Sequence, residues 1–251
     1  MRWQLTPRSV AGVLLGIVLL LTASHVVVRG VWGFVLPRYN LNYYHYIYGA
    51  HHFFDLARGS NLPAYFSTLN KLLAGGLAAT LAIGARQSDR ERQKSRTGRS
   101  DYQDWPYWAA LAVGFLWLSL DEGAKVHDTL VSHGLNLLWG GTSLASYGWF
   151  VIYVPIIVVA AAAFVPFVSR LQRAHRIWLL TGAFVFLGGG LGIEMVESYL
   201  HGQGPYSELL VDIAVLIEET LEMIGVVIFN YAFLRCLADE GIEVSFRPTS
   251  S

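Results

Sequence analysis

The sequence predicts an all-α integral membrane protein, a six-transmembrane-helix bundle with both termini in the cytoplasm. Three observations carry that expectation. Of 251 residues, 54% are hydrophobic and only 14% are charged, about half the charged share of an ordinary soluble domain. The apolar residues gather into six stretches, each long enough to cross roughly 30 Å of hydrocarbon as a helix. Lysine and arginine are distributed unequally between the two sides of those stretches. The composition also excludes other classes. Eighteen basic side chains balance eighteen acidic ones, leaving no basic face for nucleic acid. The lone cysteine, Cys236, excludes an intramolecular disulfide, a CxxC redox pair and a thiolate-rich metal site.

The chain reads as a single membrane domain over residues 1–251. The spans fall at about 10–30, 62–85, 106–127, 148–169, 177–199 and 209–235. The first, Val10 to Val28, has no ionisable group except His25. It is too long for a signal-peptide core and no A-x-A-like site follows it, so it reads as an anchor. The second follows Asn61-Leu62-Pro63, and the third follows Trp105-Pro106 and runs into Asp121-Glu122. The fourth is uncharged from Trp149 to Ser169; the fifth reaches Glu194 and the sixth ends at Arg235. Between spans one and two, Tyr39–Leu56 is dense in tyrosine, phenylalanine and histidine. That pattern predicts an interfacial helix along the outer headgroups. Residues 86–105 are hydrophilic and predict a flexible cytoplasmic loop. Thirteen basic residues fall on the side of the termini and three, Arg29, Arg38 and Arg58, on the other, which makes the termini cytoplasmic.

The buried charges share one depth. Measured from the cytoplasmic end of each span at about 1.5 Å per residue, Lys71 lies near 23 Å, Asp121 near 21 Å and Glu194 near 26 Å. Glu222 and Glu218 lie near 20 and 26 Å on the same scale. Four helices therefore carry charge in the outer half of the bilayer, while their cytoplasmic halves carry none. Each such group costs at least roughly 2.5–3.5 kcal/mol near the bilayer centre, so these side chains face the bundle interior or a water-filled cavity. Nine acids lie in or beside the layer: Asp121, Glu122, Asp128, Glu194, Glu197, Asp212, Glu218, Glu219 and Glu222. Only Lys71 and Lys125 oppose them. So many carboxylates at close range call for bound protons, solvation from the outer side, or a bound cation.

Helical spacing sorts these residues into faces. Asp121, Lys125 and Asp128 are spaced i, i+4, i+7, with Lys125 an internal ion-pair partner and Glu122 about 100° away. Glu194, Glu197 and His201 share a face, as do Asp212, Glu219 and Glu222; Glu218 and Glu222 are four apart. On the second span, Ser67, Thr68 and Lys71 lie together.

Three functions fit this constellation. Clustered glutamates with a histidine suit a divalent metal, iron, manganese or zinc. The ligands would be His127, Glu194, Glu197, Glu218, Glu219 and Glu222, and Asp121, Glu122 and Lys71 the catalytic or counter-charge groups. Oxidative or hydrolytic chemistry on a lipophilic substrate would follow. The chain lacks the Glu-x-x-His of di-iron bundles, so the likeness is one of ligand type and layering. His51 and His52, at the rim, read as interfacial hydrogen-bonding groups rather than ligands. Intramembrane acids with a lysine also suit a proton- or cation-coupled transporter. Gly188-Gly189-Gly190 and Gly192, just below Glu194, would permit close helix packing or a local break. The third reading is an assembly subunit of a larger membrane complex. The bilayer is the implied partner in all three, with other membrane proteins as partners in the last. No P-loop, nucleophile elbow or dinucleotide fingerprint is present.

Several stretches resemble a group of uncharacterised bacterial multi-pass membrane proteins. They are Phe54-Asp55-Leu56 with Asn61-Leu62-Pro63-Ala64-Tyr65-Phe66-Ser67, then Leu118-Ser119-Leu120-Asp121-Glu122 with Val126-His127-Asp128, then Glu218-Glu219-x-x-Glu222-Met223. The resemblance runs from about Phe53 onward. This chain departs from the group at Ala57, where an acid is more usual, and at Asp128, where a glutamate is. The resemblance implies the same six-helix architecture in a bacterial inner membrane, with no assigned reaction.

Overall fold

The computed structural model describes residues 6–31, 49, 51–94, 104–126, 148–193, 195–196, 200 and 208–240. Among them the chain forms seven helical elements and no strand. Helix α1 spans Pro7–Gly30, α2 Leu62–Lys94, α3 Trp105–Ala124, α4 Gly148–Arg170 and α5 Arg173–Leu187. A π-helical turn, Gly188–Ile193, continues α5, and α6 spans Glu208–Asp239. Among the described residues, four segments are long and apolar enough to cross a membrane: Pro7–Gly30, Leu62–Arg90, Tyr153–Arg170 and Arg173–Ile193.

Local sequence explains where the helices begin. Thr6 caps α1 in a reciprocal box with Ser9: the Ser9 N–H donates to Thr6 Oγ1 (3.2 Å), and the Thr6 N–H donates to Ser9 Oγ (3.0 Å). Pro7 follows at the first turn, where its missing N–H costs nothing. Asn61 starts α2, its Oδ1 accepting from the Ala64 N–H at 3.1 Å. Pro106 opens α3, and the left-handed Lys125 (φ 50°) closes it, its N–H donating to the Asp121 carbonyl. That cap corrects the expected Asp121–Lys125–Asp128 face. The helix ends at Ala124, so Lys125 leaves the helical register, and Asp128 lies outside the described residues. Helix α2 in turn continues to Lys94, into the hydrophilic stretch expected as a loop. Of the expected interfacial helix, a short helical turn over residues 51–54 falls within the described residues.

Contacts at the two ends order the bundle. At one end Arg170 of α4 donates to Asp104 beside α3 (2.7 Å), and His175 of α5 meets Asp239 of α6 (2.8 Å). At the other, Arg29 of α1 pairs with Asp212 of α6. Helix α6 is the hub, packing against α1, α2, α5 and the π turn, while α2 packs most extensively on α3. Small residues permit that closeness: Ala74, Ala78 and Ala112 are buried between Leu81, Trp108 and Phe115. Trp108, Phe115, Phe167, Phe229 and Phe233 form edge-on ring contacts at 5.0–5.9 Å across α3, α4 and α6. Large apolar side chains such as Leu20, Ile83, Val113, Val159 and Phe184 point outward, which suits contact with lipid tails rather than water.

Candidate functional site

Lys71 is the centre of the polar interior. It sits on α2 with 3% of its surface exposed. Its Nζ donates to Glu122 Oε2 of α3 at 2.6 Å and to Glu222 Oε2 of α6 at 3.4 Å. The Phe186 ring lies 5.9 Å from the ammonium, adding a cation–π contact from α5. Glu219, one turn before Glu222, lies within electrostatic range of Lys71, Glu122, Glu222 and Lys125. Three helices, α2, α3 and α6, thus supply one ion cluster, with the Phe186 ring of α5 beside it.

The glycine run explains how Glu222 fits. A Cβ on Gly190 would lie 2.2 Å from Glu222 Oε1, so the side-chain-free turn leaves the space this carboxylate occupies. The same run adopts the π-helical turn, an irregularity common at functional sites. Beneath the ion cluster, two asparagines fix the register of α2 against α6. Asn70 Nδ2 donates to the Met223 carbonyl (3.2 Å), and Asn230 Nδ2 donates to Asn70 Oδ1 (2.7 Å).

The expected site residues separate under this geometry. Lys71, Glu122 and Glu222 meet directly, and Glu219 joins them electrostatically. Asp121 is buried on the other side of α3, within electrostatic range of Tyr153 of α4. Adjacent helical positions differ by about 100°, so only one of the two acids faces Lys71. Glu218 is half-buried on α6. His127, Glu194 and Glu197 lie outside the described residues. Among the described residues, no three histidine, cysteine or carboxylate side chains are grouped as a metal site; a lysine ammonium occupies the centre of the carboxylates instead.

A second cluster, which the sequence pattern did not single out, forms at the α1–α6 end. Asp55 is buried, its carboxylate 3.7 Å from His25 Nδ1, 3.8 Å from His51 Nδ1 and 3.3 Å from Arg58 Nε. Arg29 forks onto both oxygens of Asp212 and reaches His51 Nε2 at 3.1 Å. His25 Nδ1 accepts from the Leu56 N–H at 3.1 Å, which ties the segment before α2 to α1. Burial pushes the His51 imidazole below its ordinary pKa of 6.5; Asp55 opposes that shift, and Arg29 and Arg58 reinforce it. The spacings His25–Arg29 and His51–Asp55, each i, i+4, were the available sequence signal. Asp55 and Asn61 also explain each other: Asn61 Nδ2 donates to the Asp55 carbonyl while its Oδ1 starts α2.

Above the lysine cluster is an open cavity of about 680 Å³. Phe53, Asn61, Leu62, Tyr65, Thr68 and Glu122 are among its lining residues. Glu122 is thus shared: it holds Lys71 and forms part of the cavity wall. Lys125 passes close by, its Cε where a Cβ on Gly59 would stand, so the loop before α2 and the end of α3 lock together through a residue without a side chain. No curated protein and no solved structure matches the chain. A family model does match, over residues 12–237. The protein therefore belongs to the family described as a domain of unknown function, DUF8692.

Proposed function

We propose that this is a six-span, N-in/C-in protein of the bacterial inner membrane that works as a proton- or cation-coupled transporter. The observation that carries the reading is Glu122, which joins a buried lysine to an open cavity. Three carboxylates, Glu122, Glu219 and Glu222, share Lys71 and the more distant Lys125. Among the described residues carboxylates outnumber ammonium groups in this cluster, and a proton or another cation entering from the cavity would be held there. Loading changes which carboxylate holds Lys71, and so couples the cavity to the contact of α2 with α3 and α6. The π-helical turn beside Glu222 provides backbone that can adjust without breaking a long helix. Helices α3 and α6 complete the six spans: they are 20 and 32 residues long, and their Glu122, Glu219 and Glu222 gather around Lys71.

The metal-centred alternative, with iron, manganese or zinc held by Glu219, Glu222 and their neighbours, requires a divalent ion where Lys71 now sits. An assembly subunit would need the acids only as hydrogen-bonding groups, and the open cavity beside Glu122 gives that reading no use. Proteoliposomes loaded with a pH-reporting dye test the proposal. A step of about one pH unit across the membrane should drive protein-dependent proton movement that Glu222→Gln abolishes. Folded protein that moves no protons under any imposed gradient of pH or monovalent cation would refute it.

A further inference from the structure

The geometry points to the substrate class of this cavity: a small organic ammonium ion with an apolar body. The inference rests on the transport reading for its biological meaning, but the binding site stands on the cavity itself. A space of about 680 Å³ is far larger than an inorganic ion and falls within the range of small-molecule sites. Much of its wall is apolar or aromatic, with Phe53, Leu62, Ala64 and Tyr65 among the lining residues. Phe53 and Tyr65 are 50% and 62% exposed, so their rings stand at an open face where an apolar body and a cation can both rest against them. The charged member of the lining is a carboxylate, Glu122; the remaining polar members are neutral groups such as Asn61, Thr68 and Ser60, with His52.

Charge selects the ligand further. Among the described lining residues the charged group is the Glu122 carboxylate, with Glu219 and Glu222 behind it, so a cation suits the site and an anion opposes it. The ammonium would rest against Glu122, sharing that carboxylate with Lys71, while the body lies along Leu62 and Tyr65. Occupancy therefore loosens or replaces the bond between Lys71 and Glu122, which is the coupling that transport requires. A neutral ligand of the same shape would gain only the apolar contacts.

Purified full-length protein in detergent tests this with three isosteric probes: benzylammonium, benzyl alcohol and benzoate, with empty micelles subtracted. Benzylammonium should bind at least about tenfold more tightly than benzyl alcohol, the scale of one charge-assisted contact, and benzoate should not compete. Ala64→Trp fills the cavity from its wall, leaves every charged group of the ion cluster in the chain, and should abolish binding of all probes. Glu122→Gln should erase the preference for the ammonium form; if that variant does not fold, Ala64→Trp still decides the site. Equal binding of the three probes, or ammonium binding that survives Ala64→Trp, would overturn the inference. Benzylammonium binding without proton or benzylammonium flux in proteoliposomes would sink the transport reading and keep the site. Proton flux without benzylammonium binding would do the reverse.

Discussion

Replacing Lys71 by methionine removes the one ammonium that Glu122 and Glu222 share. Nitrogen–oxygen separations of 2.6 and 3.4 Å, at an effective dielectric of about 20, correspond to gross attractions of about 6 and about 5 kcal/mol. Desolvation of a lysine with 3% of its surface exposed offsets most of that sum, so the net worth of the pair is small. Breaking it is another matter, because two buried carboxylates then lose the ammonium they share, with Lys125 farther off. We expect Lys71→Met to lose about 3–5 kcal/mol, the usual cost of orphaning a buried partner. For a chain of this size that lowers Tm by about 6–20 °C. Glu122→Gln alone should cost less, since Lys71 keeps Glu222. Lys71→Met combined with Glu122→Gln should recover more stability than Lys71→Met combined with Glu222→Gln, following the two distances. Thermal unfolding in a single detergent, with the double-mutant cycle completed, gives the coupling energies. A Lys71→Met protein as stable as the parent, or a zero coupling to Glu122, would refute a lysine-centred cluster.

The other predictions need less apparatus. A reporter at Ser251 or within residues 90–99 should read cytoplasm and one near Gly59 the outer side; the opposite pattern would put the ion cluster in the inner half of the bilayer. Below its ordinary pKa of 6.5 the His51 imidazole takes up protons in the unfolded chain before it does in the folded one, so stability is present above that pH and falls as the solution is acidified. His51→Gln should shallow the acid limb of a Tm–pH curve, and an unchanged limb would remove His51 as its cause. Elemental analysis of purified protein should find iron, manganese and zinc well below one per chain, with no change in Glu222→Gln. Near-stoichiometric metal that this substitution removes would replace transport by metal-centred chemistry.

What the sequence determined is what one-dimensional spacing can encode. Apolar runs in units of membrane thickness predict helices, and the described residues form helices with no strand. A constant rise per residue put Lys71, Asp121, Glu194, Glu218 and Glu222 at one depth; of these Lys71 and Glu222 meet, joined by Glu122 and Glu219, while Asp121 faces elsewhere and Glu194 lies outside the described residues. Helix starts at Asn61-Leu62-Pro63 and Trp105-Pro106 are local and therefore legible. Rotation about each helix axis is not legible in the same way. Whether Glu122 or Asp121 faces Lys71 depends on which side of α3 packs against α2, and that is settled by the small residues and ring contacts of the whole core. The run Gly188-Gly189-Gly190 is compatible with packing or with a break; the structure combines the two, because the carboxylate of Glu222 needs the volume a Cβ would fill. Lys125 was expected on a helical face, but the helix stops one residue earlier. The Asp55 cluster was furthest from reach. Its members come from α1, from the segment before α2 and from α6, whose separation in the chain carries no periodicity. Only tertiary packing brings His25, Arg29, Asp55 and Asp212 to one end of the bundle, because burying these charges is tolerable only where each finds its partner.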